Sequence, residues 1–226
     1  MRLIRLIITV IVAAIPSWIN AITVRRFDKF KIHSILRKWS SLAIKMLNYK
    51  LEVEGSENLN DEATYFVSNH QGTFDPAIIV AASTVPISFI SKKQNEKLPL
   101  IGSWSKTIKN IHFDRDSAKD NIYMLRETTR RLKAKDNVLI FAEGTRSKSD
   151  VVNEFKVGSI KPAYMAKVQI VPVVLSNSYA FDEKKPKSNK MKVNFLKPIK
   201  HEEYKHLSQE EICVYLRELI ESKVNV

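Results

Sequence analysis

From Lys50 onward, short apolar runs rich in Val, Ile and Phe alternate with longer stretches in which apolar residues recur every three to four positions. The first kind predicts strands over residues 50–53, 64–67, 87–91, 108–113, 138–141, 170–175 and 191–195. The second predicts a helix over 118–134, carried by Ile122, Leu125 and Leu132, and a last helix carried by Ile212, Tyr215, Leu216, Leu219 and Ile220. Ser208 with Glu211 three positions on forms a capping box that starts that last helix. Alternation of this kind predicts an α/β domain, a mixed β-sheet flanked by helices, over 49–226. Lys184 to Lys192, charged and containing Pro and Ser, reads as a solvated loop, and no internal repeat is present.

Residues 1–48 follow a different pattern. Residues 6–24 carry no charge and are rich in Ile and Val, long enough to span a bilayer, but Pro16, Ser17 and Asn20 interrupt the second half. Arg2 and Arg5 precede the run and Arg25, Arg26, Lys29 and Lys31 follow it. Basic residues on both sides favour a re-entrant or in-plane anchor over a full span. A cleaved signal peptide is the alternative. Over 27–47, Ile32, Ile35, Leu36, Trp39, Leu42, Ala43 and Met46 share one helical face, while Lys29, His33, Arg37, Lys38 and Lys45 fall mostly elsewhere. A basic amphipathic helix after an uncharged anchor is expected to lie on a membrane surface, and packing against the domain is the competing reading. Residues 1–48 are therefore expected to be membrane-anchoring helices.

Charge narrows the class of partner. The chain holds 37 Lys+Arg against 24 Asp+Glu, a formal charge of +13, which favours an anionic membrane, a phosphorylated substrate or nucleic acid. No nucleic-acid-binding signature is present, so no nucleic-acid partner is expected. Cys213 is the only cysteine, which excludes an internal disulfide and suits a reducing compartment. It lies on the apolar-patterned last helix, where a cysteine usually fills core. His33, His112, His201 and His206 have no acid or cysteine partners at metal-ligand spacing, and no metal site is expected.

Candidate chemistry gathers where strands end. "SNHQGTFDP", residues 68–76, leaves a strand and enters a helix, with Pro76 suited to the first helical position and Asp75 to the N-cap. On a continuous helix His70 and Asp75 would point about 140° apart, so they meet only if the chain turns, which Gly72 permits. A histidine whose ring nitrogen bonds a carboxylate is held in one tautomer, as a general base requires. The plain alternative is a capped helix with a polar turn. "FAEGTRS", residues 141–147, ends a second strand with a glycine between an acid and an arginine, a loop able to present N–H groups and a guanidinium to an anion, or else a turn with a surface ion pair. Lys92 and Lys93 follow "SFIS" and Arg115 follows "IHFD". These cations form one phosphate site if the sheet brings their strand ends to one edge.

The ordered set "NHQGTFD", "SKK", "FDR", "FAEGTRS" and "IVPVVL" resembles the glycerophospholipid acyltransferase family, most closely its bacterial 1-acylglycerol-3-phosphate acyltransferases. The likeness covers about residues 50–196. It implies that His70 is the general base and Asp75 its orienting carboxylate. Lys92, Arg115 and Arg146 would bind the acceptor's phosphate, Glu143, Gly144 and Thr145 would shape the loop beside it, with Glu143 touching the glycerol, and Pro172 would line the acyl or donor site. Ala142 stands where the family usually has proline, which loosens the backbone before Glu143. The implied reaction moves an acyl group from acyl-CoA or an acylated carrier protein to the sn-2 hydroxyl of lysophosphatidic acid. Another lyso-lipid or glycerol 3-phosphate is the alternative acceptor. No cofactor is implied beyond the thioester co-substrate. The implied location is the cytoplasmic face of the cell membrane, reached through the N-terminal helices. Two other classes stay in view: a non-enzymatic basic membrane-binding domain, which gives His70 and Asp75 no purpose, and a hydrolase, for which no Gly-x-Ser-x-Gly elbow is present.

Overall fold

A computed structural model describes residues 2–224, without the side chain of Arg2. Residues 1, 225 and 226 of the expected domain boundaries, and the Arg2 charge, lie outside the described residues. Helices α1 (Arg2–Thr9) and α2 (Ile15–Thr23) are joined by a π-turn at Val10–Ala14, and α3 (Lys29–Met46) follows. The remainder runs β1 (Lys50–Glu54), β2 (Thr64–Ser68), α4 (Asp75–Ala82), β3 (Ser88–Lys92), α5 (Pro99–Thr107), β4 (Ile111–Phe113), α6 (Ala118–Lys133) and β5 (Val138–Phe141). It continues through α7 (Lys161–Ala166), β6 (Gln169–Ser176), β7 (Lys190–Phe195), α8 (His201–Tyr204) and α9 (Gln209–Glu221).

The seven strands form one sheet in the order β1-β7-β6-β2-β5-β3-β4, parallel everywhere except between β6 and β7. All five residues of β2 are buried, as expected of a parallel strand covered on both faces. Its side chains alternate: Tyr65 and Val67 enter the core shared with Leu132, Ile160 and Leu216, while Phe66 enters the opposite core with Ile78, Val171 and Phe195. The mixed α/β architecture expected from the pattern is thus present. The 108–113 strand is shorter than expected, because Ile108 caps α5 and only Ile111–Phe113 pairs with β3. Helix α5 escaped prediction because Gly102, Ser103 and Ser105 break its apolar stripe; Gly102 is needed there, since a Cβ would stand 2.2 Å from the Glu96 carbonyl oxygen.

The N-terminal residues correct two expectations. Helical structure runs unbroken from Leu3 to Arg26, so Pro16 does not turn the chain back. The π-turn absorbs it: the Ile15 N–H reaches back to the Val10 carbonyl, widening the helix where the proline ring would otherwise clash. The polar residues that looked like interruptions face inward, Ser17 onto the domain and Asn20 onto α3. Ser17 Oγ accepts from the Trp104 indole at 2.8 Å, and Asn20 Oδ1 accepts from the Trp39 indole at 3.1 Å. The apolar residues face outward instead: Leu3, Ile4, Ile7, Ile11, Ile19 and Ile22 are exposed. The stripe of α3, expected on a membrane surface, packs on the protein. Ile32 and Ile44 are buried, Ile35, Leu36 and Trp39 join the core clusters, and His33 is buried with Nε2 3.1 Å from the Ser83 carbonyl oxygen.

Gly55, just beyond β1, has φ +70, and a Cβ there would stand 1.9 Å from the Phe195 carbonyl oxygen at the end of β7. Gly55→Ala is therefore expected to destabilise the fold by more than about 1 kcal/mol, read as a lower denaturation midpoint in urea.

Candidate active site

Because the strands from β6 through β4 are parallel, their carboxyl ends share one edge of the sheet, and each of the singled-out motifs leaves from it. His70 follows β2, Glu143 to Arg146 follow β5, Lys92 ends β3 and Arg115 follows β4. Sheet order explains why residues so far apart in sequence meet.

The β2–β5 ladder continues past both strands. Ala142 N–H donates to the Ser68 carbonyl, and beyond it Ser147 and Lys148 N–H donate to the His70 and Gln71 carbonyls at 2.8 and 3.1 Å. Residues 143–146 bulge out between these rungs. Gly144 makes the bulge possible, since its φ is +74. Glu143 turns inward: it is 2% exposed, and its carboxylate accepts from His70 N–H at 2.6 Å and from Asn153 N–H and Nδ2 at 3.1 and 2.7 Å. Burial pushes its carboxyl above the usual range against the pull of those donors. Glu143, expected beside the glycerol, is held inward, with Oε1 on the His70 N–H and Oε2 on Asn153.

His70 is stacked on the Phe141 ring at 4.1 Å between centroids. Its Nδ1 lies 2.7 Å from Asp75 Oδ2, an oxygen that also accepts from Gln71 N–H at 2.6 Å and Gly72 N–H at 2.9 Å. Nδ1 therefore carries the proton, and Nε2 keeps its lone pair. Asp75 is fully buried and is the first residue of α4, not its N-cap, which is Phe74. The capping expectation fails because the carboxylate accepts from the turn before the helix rather than from the helix's own N–H groups. Gly72 also serves differently than expected. Its φ is not left-handed; instead a Cβ would meet Ser178 O, Tyr179 Cα and Asp182 Oδ2, each at 3.2 Å.

The cations line the same edge. Arg115 Nη1 and Lys156 Cγ lie 4.0 and 3.7 Å from where a Cβ on Gly144 would project, and partial burial lowers the Arg115 pKa. Arg146 donates to Thr73 Oγ1, tying the bulge to the turn after His70. Lys92 and Thr145 are exposed. Pro172 lies buried within β6. Sequence reading missed Lys156, Asn153, Gln71 and Ser178, since hydrogen bonding across distant loops leaves no local spacing. Cys213 is buried in the core, where loss of solvent pushes its thiol up to about 11.

The sequence model of the family described as Acyltransferase matches residues 50–176, which include His70, Asp75 and the bulge. The chain belongs to the Acyltransferase family. Among the relatives of this chain is a chloroplastic 1-acyl-sn-glycerol-3-phosphate acyltransferase of Arabidopsis thaliana, 32% identical over 63% of this chain and 40% of the relative. A probable 1-acyl-sn-glycerol-3-phosphate acyltransferase of Mycoplasma pneumoniae is 29% identical over 68% of this chain and 59% of the relative. The chain thus spans about half the length of these curated relatives. The crystal structure of the 1-acyl-sn-glycerophosphate acyltransferase of Thermotoga maritima superposes with a TM-score of 0.78 at 23% identity, covering 98% of this chain and 95% of that one, a likeness of fold.

Asp75→Asn keeps an oxygen for the three N–H donors of the turn and leaves the helix start unchanged, but removes the charge that supports an imidazolium. The variant is expected to retain its melting temperature while kcat for acyl transfer falls about 10²- to 10⁴-fold. Thermal melts beside steady-state kinetics check both halves.

Proposed function

We propose that this acyltransferase moves a fatty acyl group from an acyl thioester to the free hydroxyl of lysophosphatidic acid, forming phosphatidic acid. The observation that carries the reading is His70 with Nδ1 tied to a buried carboxylate and Nε2 left as an acceptor, at the sheet edge that also bears Arg115, Arg146 and Lys92. The family match and the names of the relatives support the acceptor.

In the proposed reaction His70 Nε2 takes the hydroxyl proton as the oxygen attacks the thioester carbonyl carbon. The resulting imidazolium is stabilised by Asp75. As the tetrahedral intermediate collapses, the carbon–sulfur bond breaks and the sulfur receives that proton, so His70 returns to its starting form. No acyl-enzyme forms. Arg115, Arg146 and Lys92 bind the acceptor's phosphate through charge-assisted hydrogen bonds, and Gly144 and Thr145 shape the loop between them. Acyl-CoA or an acylated carrier protein serves as donor.

The acceptor is a membrane lipid, and the N-terminal helix suits its retrieval. Its outward face is Leu- and Ile-rich, its Ser17 and Asn20 are spent on the domain and on α3, and basic residues flank it. The helix anchors the protein to the cytoplasmic face of the cell membrane, in the plane of the interface. Attraction between the +13 chain and anionic lipid adds to this.

Thiol release from acyl-CoA, measured with and without lysophosphatidic acid, tests the reading. Release should depend on the acceptor and fall at least about 10²-fold in His70→Ala. Equal release without acceptor would mean a thioesterase, and liposome binding without release would mean a binding protein. Arg146→Ala should raise the apparent KM for lysophosphatidic acid about tenfold or more while the KM for the thioester stays near wild type. An unchanged acceptor KM would remove Arg146 from the phosphate site.

A further inference from the structure

Of the two Asp75 oxygens, His70 uses only Oδ2. The other, Oδ1, accepts from Ser178 Oγ at 2.7 Å, and Ser178, like Asp75, is fully buried. The serine lies beyond β6, a strand that the reaction does not otherwise call on, and more than a hundred positions from His70.

The loop that delivers it is built for the task. Asn177 turns the chain with φ 55, a left-handed conformation that asparagine tolerates. Its N–H donates to Asp150 Oδ1 at 2.8 Å and its Nδ2 to the Lys190 carbonyl at 2.6 Å. Gln71 clamps the next residue: its Oε1 accepts from Ser178 N–H at 2.8 Å while its Nε2 donates to Asp150 Oδ1 at 2.8 Å. Those two bonds leave Gln71 one orientation, since a flipped amide would set donor against donor and oxygen against carboxylate. The Ser178 hydroxyl, also 3.0 Å from Gln71 Oε1, therefore has two acceptors and a single proton. The shorter, charge-assisted contact takes it.

We propose that Ser178 is a positioning residue for His70, acting through Asp75: its hydroxyl fixes the carboxylate's rotation and spreads its charge, so that His70 is oriented without holding its proton too tightly to release it. This rests on the reading of His70 as general base. Donors on both oxygens stop the carboxylate turning about its Cβ–Cγ bond. A carboxylate that loses one of four donors becomes the stronger acceptor toward the imidazolium. The other charged groups around the turn are Glu143 on the His70 N–H, Asp182 on the Thr73 N–H, Arg146 on the Thr73 hydroxyl and Asp150 behind Gln71.

The test is Ser178→Ala in the full chain, assayed across pH with acyl-CoA and lysophosphatidic acid. We expect kcat to fall about tenfold, an unchanged KM for either substrate, and an acidic limb of kcat/KM displaced to higher pH. The same displacement should appear in the imidazole titration of His70 followed by NMR, assigned with His70→Asn. Ser178→Cys, close in shape but a weak donor, should move the midpoint the same way by less, and it carries the test if the alanine variant fails to fold. A folded variant with kcat within about twofold of wild type and an unmoved His70 midpoint would overturn the proposal. If the wild type transfers no acyl group, the functional reading falls, while the NMR titration still decides whether Ser178 acts on His70.

Discussion

A buried carboxylate must be satisfied at every acceptor position or the fold loses more than the residue contributes. Asp75 meets that demand with four donors drawn from two separate parts of the chain: His70, Gln71 and Gly72 from the turn after β2, and Ser178 from the loop after β6. The constraint propagates outward. The turn must bend sharply enough to bring two backbone N–H groups to one oxygen, the histidine ring must lie over Phe141, and the β6 loop must approach so closely that a Cβ at position 72 would stand 3.2 Å from three of its atoms. One ion organises the reactive histidine, the start of α4 and the adjacent loop together.

A second buried acid works on the same histidine from the other side. Glu143 holds the His70 backbone N–H, and through Asn153 it also holds the segment that returns from the bulge. The acidic and cationic members of the "FAEGTRS" motif thus divide between interior and surface. Glu143 supports the frame, and Arg146, beyond Gly144, faces the open edge with Arg115 nearby. This division leaves positive charge on the open edge and negative charge in the interior, an arrangement suited to the proposed acyl transfer onto a phosphorylated acceptor.

The N-terminal helix inverts the usual pattern of a surface helix. Ser17 takes an indole N–H bond from the domain and Asn20 one from α3, while isoleucines and leucines face outward. In water that exposure would be unfavourable; against lipid it would be the favourable orientation.

Runs of β-forming residues and a capping box were enough to establish the α/β class, six of seven strands nearly to their ends and the capped last helix, because these are local properties of the chain, and of the two readings of residues 68–76 the structure bears out the meeting of His70 with Asp75. Helix α5 was hidden because its apolar stripe is broken by a glycine required for contact with Glu96. The same limit applied to Asp75 as a cap and to the apolar stripe of α3 as a membrane face: each reading was sound for the local segment and was overruled by what packs against it. Ser178, Asn153 and Lys156 had no signature at all, since hydrogen bonds and contacts between loops far apart in sequence follow from sheet order. Residue types and their spacing determined which chemistry was present; strand order and the direction of each buried side chain decided which acid faces the histidine, which supports its backbone and which cations meet at the open edge, because buried polar groups take their partners from whatever tertiary packing brings within reach.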